Sequence, residues 1–327
     1  MKMRFLLSVA VAIGCIGQAV AADEQAAPTV FGTVRVQQEM LNNGKDDGFR
    51  VGQASVGVKG ALSFDEFKAI YETEVEFADL ANPDNASDSN EARVRTARVI
   101  VPTKNAGTFV LGRTASGVWA DSYGHLDLFE NTENYNPASG SYTFSSGLMG
   151  QALRAPGVAA WKSPTFGGVY IVPAVLSVND SNGQSDDVLS VRAVYAKDGI
   201  KVSASYVGVD PSAAAGKDYE RTAIGASYKA DKWQIGATHE NNSDHPSGDF
   251  TVNAIAGRVQ VAPRTNINLG YFDKDHDNNA LDNSAIIGNV TYDLGGNAVK
   301  GARLFLEHEE HDIDANDKTT AGITVKF

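Results

Sequence analysis

The 327-residue chain contains a single cysteine, Cys15, close to its N-terminus. A domain held by disulfides is therefore excluded, and the fold must rest on backbone hydrogen bonds and packing. Beyond the first twenty or so residues, no stretch reaches the roughly eighteen consecutive apolar residues that a membrane-crossing helix needs. Positive charge is scarce, with 28 Lys+Arg against 40 Asp+Glu and a net charge of −12. Such a balance makes nucleic acid an unsuitable partner. A glycine-rich phosphate loop followed by Lys and Ser/Thr is missing, and so is a Gly-x-Ser-x-Gly elbow. Serines are plentiful, but none has a His and a carboxylate in a readable arrangement. These absences lead us to expect no catalytic residue, no metal ligand, no cofactor and no enzyme.

What is present begins at the N-terminus. Lys2 and Arg4 form a basic region, Phe5 to Gly17 form a short apolar core, and Ala19-Val20-Ala21 supplies an A-x-A cleavage site. Residues 1–21 are expected to be an export signal, cleaved after 21 or 22, leaving 22–327 as one domain. Reading the segment as a lipoprotein signal would make Cys15 the lipidated residue, but Cys15 sits inside the apolar core with more apolar sequence after it. Loss of Lys2 and Arg4 makes the mature chain two charges more negative than −12.

From residue 29 onward one cycle repeats: an alternating apolar/polar segment, a tiny linker, a similar segment, then a longer acidic linker. Short linkers fall near 61–66, 103–106, 164–167, 198–199, 230–231, 263–264 and 294–297. Long ones fall near 40–47, 78–91, 114–151, 179–186, 210–217, 242–248, 274–281 and 311–318. A barrel crossing a membrane has short turns on one side and longer loops on the other, and about sixteen strands result, an even number as closure requires. The mean hydropathy of −0.22 fits such a barrel, in which only every second residue faces lipid. A soluble sandwich or propeller would not explain the strict alternation of short and long linkers.

Successive strand side chains point to opposite faces, so a lipid-facing strand shows apolar residues at i, i+2 and i+4. Ala69, Tyr71, Thr73, Val75 and Phe77 oppose Lys68, Glu72, Glu74 and Glu76; Ile200, Val202, Ala204 and Tyr206 oppose Lys201, Ser203 and Ser205. Aromatics close several apolar faces, among them Tyr195, Tyr228, Tyr271 and Tyr292, as interfacial girdles would. Two segments depart from the pattern. In 249–262 the apolar phase slips around Ala256 and Arg258, which suggests a bulge. In 92–102, Arg93 and Arg95 share one face while Arg98 falls on the other, so either Arg98 lies near an interface or the register shifts.

The linker 114–151 is several times longer than the rest, and loops of that length tend to be functional. It carries Asp121, Asp127, Glu130 and Glu133, with Trp119, Tyr123, Phe129 and Tyr135 between them. Exposed aromatic rings are costly, so the simplest packing is inward, against the barrel wall.

Several short motifs stand in a fixed order along the chain: Val30-Phe31-Gly32, Gly57-Val58-Lys59-Gly60, Phe67-Lys68-Ala69-Ile70-Tyr71, then Gly107-Thr108-Phe109-Val110-Leu111-Gly112-Arg113 before the long linker. Trp161-Lys162-Ser163-Pro164-Thr165-Phe166-Gly167-Gly168 follows it, and Phe327 ends the chain. In this order the mature sequence resembles the Gram-negative general porin family over essentially its full length. The resemblance implies an all-β fold, a closed antiparallel transmembrane β-barrel of 16 strands with the long third loop folded into the lumen. It implies a homotrimer in the outer membrane, in contact with lipid and lipopolysaccharide, and Ile323, Val325 and Phe327 as a terminal signal for the insertion machinery. It further implies passive diffusion of small hydrophilic solutes and ions. Acids on the loop would face a basic wall: Asp121, Asp127, Glu130 and Glu133 against Arg35, Arg93, Arg95, Arg154 and Lys162. The family often has basic residues where Ser55 and Ala160 stand here, a departure that weakens the expected wall.

Acidic mouths and an acidic loop lead us to expect mild cation preference. Two further constellations resemble metal sites without their spacing. Glu307-His308-Glu309-Glu310-His311 places its histidines three apart on a strand, hence on opposite faces, whereas the helical zinc motif needs four. Asp273, Asp275 and Asp277 start like a calcium loop, but Asn278 and Ser284 stand where Gly and Glu are needed. A solute-specific porin, an outer-membrane barrel enzyme such as a lipase, and an adhesin anchored by its barrel stay open as alternatives.

Overall fold

The computed structural model describes residues 27–42, 48–64, 67–77, 92–136, 141–177, 188–295 and 301–327. The expected export signal at 1–21 and the acidic clusters at 46–47, 84–91 and 186–187 lie outside the described residues.

The described chain forms β1 (Thr29–Leu41), β2 (Gly48–Ser63), β3 (Lys68–Phe77), β4 (Ala92–Pro102), β5 (Thr108–Ala115), β6 (Glu133–Asn136), β7 (Ser141–Phe144), β8 (Arg154–Lys162) and β9 (Val169–Leu176). The second half adds β10 (Val188–Lys197), β11 (Ile200–Val209), β12 (Glu220–Lys229), β13 (Trp233–Ser243), β14 (Phe250–Ala262), β15 (Thr265–His276), β16 (Asn283–Asp293), β17 (Ala302–His311) and β18 (Lys318–Lys326). All but β6 and β7 join one closed barrel of 16 strands in sequence order, each antiparallel to its neighbours, and β1 closes on β18. The two remaining strands pair only with each other, inside the long connection between β5 and β8. Closure removes every free sheet edge, so the backbone hydrogen bonds of the wall are satisfied within it.

The seam is locked at the last residue. The amides and carbonyls of Gly32 and Phe327 exchange two hydrogen bonds of 3.1 Å. Gly32 is needed there because a Cβ would lie 2.5 Å from the Phe327 ring. Ile323 and Val325 pair with Val36 and Val34 on the same seam.

Alternation sorts the two faces. Leu189, Ile224, Leu269 and Leu306 point outward and are 53–61% exposed, an apolar belt far larger than a water-facing surface carries. Tyr228 and Trp233 meet at the short-turn end of this belt with tilted rings whose centroids are 5.3 Å apart, and Tyr195 and Tyr292 are exposed at the same end. Residues of opposite parity point into the barrel.

One irregular segment departs from expectation, and the other follows the register shift given as one of its two alternatives. Along β14 the pairing with β15 is continuous from Phe250 to Gln260, and the only shift lies between Gln260 and Ala262. The bulge expected near Ala256 and Arg258 is thus corrected. Phe250, Val252, Ala254 and Ala256 are all inward and buried, and their apolar character mimics a change of face. On β4 a register shift against β3 between Glu74 and Val75 inserts an extra residue. Arg98 is thereby turned inward with Arg95, where it meets Glu72 at 2.6 Å.

Candidate functional site

The connection from β5 to β8, residues 116–153, has its described part inside the barrel, bonded to wall strands β1, β4, β10 to β15, β17 and β18. Its two ends are tied by the Ser116 amide donating to the Leu153 carbonyl at 2.9 Å. Between them lie a helical turn at Trp119–Tyr123 and the β6–β7 hairpin. The large apolar residues of this segment, where described, turn away from water. Trp119, Tyr123, Leu126, Phe129, Phe144 and Leu148 are buried, in one cluster with Val207, Phe250, Val252, Phe272 and Ile287 of the wall. Removing this apolar surface from water supplies most of the driving force that seats the segment.

Glycines shape the seat. A Cβ at Gly225 on β12 would come 2.2 Å from the Ser122 carbonyl oxygen, and one at Gly236 on β13 would come 2.3 Å from the His125 ring. Wall carboxylates then capture the segment's backbone. Glu307, only 1% exposed, accepts the Glu130 and Asn131 amides at 2.6 and 2.8 Å and the Asn289 side chain at 2.9 Å. Glu240 accepts the Gly150 amide at 2.8 Å and the Tyr123 hydroxyl. Arg221 donates to the Gly150 carbonyl and the Gln151 side chain at 2.6 and 2.7 Å. Glu309 takes the Ser145 hydroxyl and pairs with Lys318 at 2.9 Å. Buried backbone amides need such acceptors.

The four acids expected on this segment occupy different settings. Asp121 bonds Arg192 at 2.6 Å, Lys201 at 2.9 Å and the Tyr170 hydroxyl at 2.9 Å. Burial would raise its pKa, but Lys201 and Arg192 outweigh burial and hold it below the usual range. Glu133 joins Arg95 at 2.8 Å and Arg154 at 3.1 Å, and these two arginines hold it low against the same burial. Glu130 pairs with Arg303 at 2.9 Å and accepts the Thr324 hydroxyl at 3.2 Å. Asp127 has no salt bridge among the described residues and opens onto a cavity. The protein crowded around it, together with Glu133 and Glu130, raises its pKa to about 6, with Arg154 offsetting part of the rise. His125 is driven down to about 4 by burial, so it is neutral near pH 7.

The five expected wall cations also separate. Arg35 is 6% exposed and donates to the Gly52 carbonyl at 3.2 Å. Arg95 is held by Glu76 at 2.9 Å and by Glu133, with the Tyr142 ring 5.3 Å away. Arg154 lies 5.7 Å from that same ring. Arg93 stands opposite Glu76 in register. Lys162 is apart from these, at the end of β8, with its Nζ 3.9 Å from the Tyr170 ring centroid. Ser55, where the family often has a basic residue, is 4% exposed. Sequence reasoning missed Arg192, Lys201, Arg258, Arg303 and Lys326. Each has inward parity on its strand, which could have flagged it, but their convergence depends on closure across the barrel.

Arg35, Arg154, Arg258, Arg303 and Lys326 line a cavity of about 390 Å³ with Asp127, Glu130 and Glu133. Trp119, Leu128, Phe129 and Leu153 form its apolar side. Elsewhere on the inner wall, Glu307, Glu309 and His311 face inward, whereas His308 points out and bonds Thr319 at 2.8 Å.

Comparison with known proteins agrees with this architecture. OmpF of Salmonella typhi, in complex with daunomycin, superposes with a TM-score of 0.74 at 16% identity, covering 93% of this chain and 100% of that one. An anion-selective porin from Comamonas acidovorans gives 0.67 at 15% identity, covering 93% and 100%. The trimer form of OmpT from Vibrio cholerae, folded in vitro, gives 0.64 at 16% identity, covering 93% and 99%. No curated protein matches the chain in sequence. The sequence pattern of Gram-negative porins matches residues 7–305. With that match over most of its length and a closed 16-stranded barrel, this chain belongs to the Gram-negative porin family of outer-membrane channels.

Proposed function

We propose that the protein is a passive diffusion channel for small hydrophilic solutes and ions, with residues 116–153 as its constriction and no catalytic step. The observation that carries this reading is the cavity left between that segment and the wall, lined by charges of both signs. Opposed charges across a narrow aqueous gap orient water and dipolar solutes, and an apolar solute would have to disturb that order. In this reading Asp121, Asp127, Glu130 and Glu133 form the acidic side, and Arg35, Arg95 and Arg154 belong to the basic side. Arg93 and Lys162 act above and below them.

The mild cation preference expected from the total charge rests on the acidic loops. At the cavity the balance is opposite, with five cations and three acids. We therefore place anion preference at the constriction and cation attraction at the mouths. The barrel works as a homotrimer, the assembly named for the OmpT structure that it resembles in fold. Its apolar belt meets lipid and lipopolysaccharide, Ile323, Val325 and Phe327 guide insertion, and residues 1–21 direct export.

Planar-bilayer recording of the purified mature protein tests the reading. Conductance in steps of three and a reversal potential of anionic sign in a KCl gradient are expected. A polypeptide that stays soluble without detergent and never conducts would refute the channel.

A further inference from the structure

We propose that the cavity beside residues 116–153 is a binding subsite for a small dianion, a phosphate or a dicarboxylate, held by Arg35, Arg258 and Lys326. This inference rests on the channel reading above and names the class of solute that pauses in it.

The argument starts from which cations are already neutralised. Of the five that line the cavity, Arg154 is paired with Glu133, and Arg303 is shared between Glu130 and Asp293 at 2.9 and 2.7 Å. Arg35, Arg258 and Lys326 have no carboxylate within salt-bridge range among the described residues. Arg35 is the most telling. It is 6% exposed, one of its terminal nitrogens donates to the Gly52 carbonyl, and its Nε has no acceptor. A buried guanidinium without an anion is costly, and a wall that keeps one in place gains when an anion arrives.

Arg258 is oriented for the same purpose. Its Nε donates to Asn268 at 2.6 Å and one terminal nitrogen to the Leu128 carbonyl at 3.2 Å. Two neutral acceptors thus fix the guanidinium without cancelling its charge. Asn268 is fixed in turn by Asn289. Lys326 adds a mobile point charge at the short-turn end of the cavity.

The charge of the lining favours a dianion. Five cations against three acids in the lining leave a positive excess, which attracts a dianion more strongly than a single chloride. The volume of about 390 Å³ holds a phosphate or a short dicarboxylate with part of its water. Asp127, Glu130 and Glu133 stand on the segment side, which presses the anion toward the wall cations. The subsite is open to solvent, so binding is weak and exchange fast, as throughput through a pore requires.

The test is chloride current through single channels of the full mature protein, titrated with inorganic phosphate at constant ionic strength, with succinate in a parallel arm. We expect a saturable reduction of current by phosphate. Losing one charge-assisted contact should weaken this effect about tenfold in Arg258→Gln and in Lys326→Gln. Because Lys326 is exposed, its variant should fold even where Arg258→Gln does not. Asp127→Asn should tighten phosphate by removing a repelling charge. Saturation by succinate alone would assign the site to carboxylates, and saturation by phosphate alone to phosphates. A current that falls only in proportion to chloride dilution would overturn the subsite while leaving the channel intact. Unchanged half-saturation in both cation variants would overturn it equally. Absence of any conductance would instead refute the channel reading itself.

Discussion

Replacing Glu307 by Ala should loosen the edge of the inserted segment that carries the charged cavity, without unfolding the barrel. Glu307 is buried and accepts two backbone amides, from Glu130 and Asn131, and one side-chain amide. Its loss strands three donors, the two backbone amides and the Asn289 side-chain amide. Each unsatisfied donor costs roughly 1–3 kcal/mol, giving about 3–9 kcal/mol in total. Water in the lumen can reach part of this edge, which places the expected cost near the lower end, about 3 kcal/mol. The apolar seat around Phe144, Leu148 and Phe272 is untouched, so the segment should stay docked at its other side. The barrel ladder has no partner in the change. The assay is single-channel recording paired with thermal unfolding. We expect greater open-channel current noise and a changed conductance, because Glu130 and its Arg303 partner lose their position. Glu307→Gln, which keeps one acceptor, should lie between Ala and the parent. A Glu307→Ala protein with the noise, conductance and unfolding temperature of the parent would refute the claim that backbone capture by this carboxylate holds the constriction.

Four more outcomes are expected. Gly225→Val should push the Ser122 region off its seat, since the new Cβ would start 2.2 Å from a backbone oxygen; overpacking of this kind costs about 1–3 kcal/mol, read as a lowered unfolding temperature. Acidification should shift selectivity toward anions, because Asp127 has a raised pKa of about 6 and loses its charge as pH falls through that value; reversal potentials should change between neutral and mildly acidic solution, and Asp127→Asn should flatten that change. Asp121 and Glu133 have lowered pKa values in the folded protein, so their ion pairs should stabilise the docked segment above the ordinary carboxylate range and lose that contribution as pH falls through the folded values; acid titration of the intrinsic tryptophan fluorescence should report a release that Glu133→Gln reduces. Removal of Phe327 should lower assembly into lipid vesicles, since the seam loses two hydrogen bonds of 3.1 Å; unchanged assembly yield would count against its role.

The sequence by itself determined the strands, their number and the side on which the long connections lie. It could do so because a period of two and the spacing of turns are local properties, written in neighbouring residues such as Leu189, Val191 and Ala193. The same local rule misread Phe250, Val252, Ala254 and Ala256, because their apolar character answers to Phe144 and Leu148 on the segment that covers them. It also left Arg98 undecided, since the face of a residue beyond a bulge depends on how the partner strand is paired. Only the tertiary structure decided which charges meet. Glu130 finds Arg303, and Asp121 finds Arg192 and Lys201, because closing the cylinder brings together side chains far apart in the chain. Inward parity is legible one strand at a time, but distance across a lumen is fixed by closure, and closure is a property of all sixteen strands together.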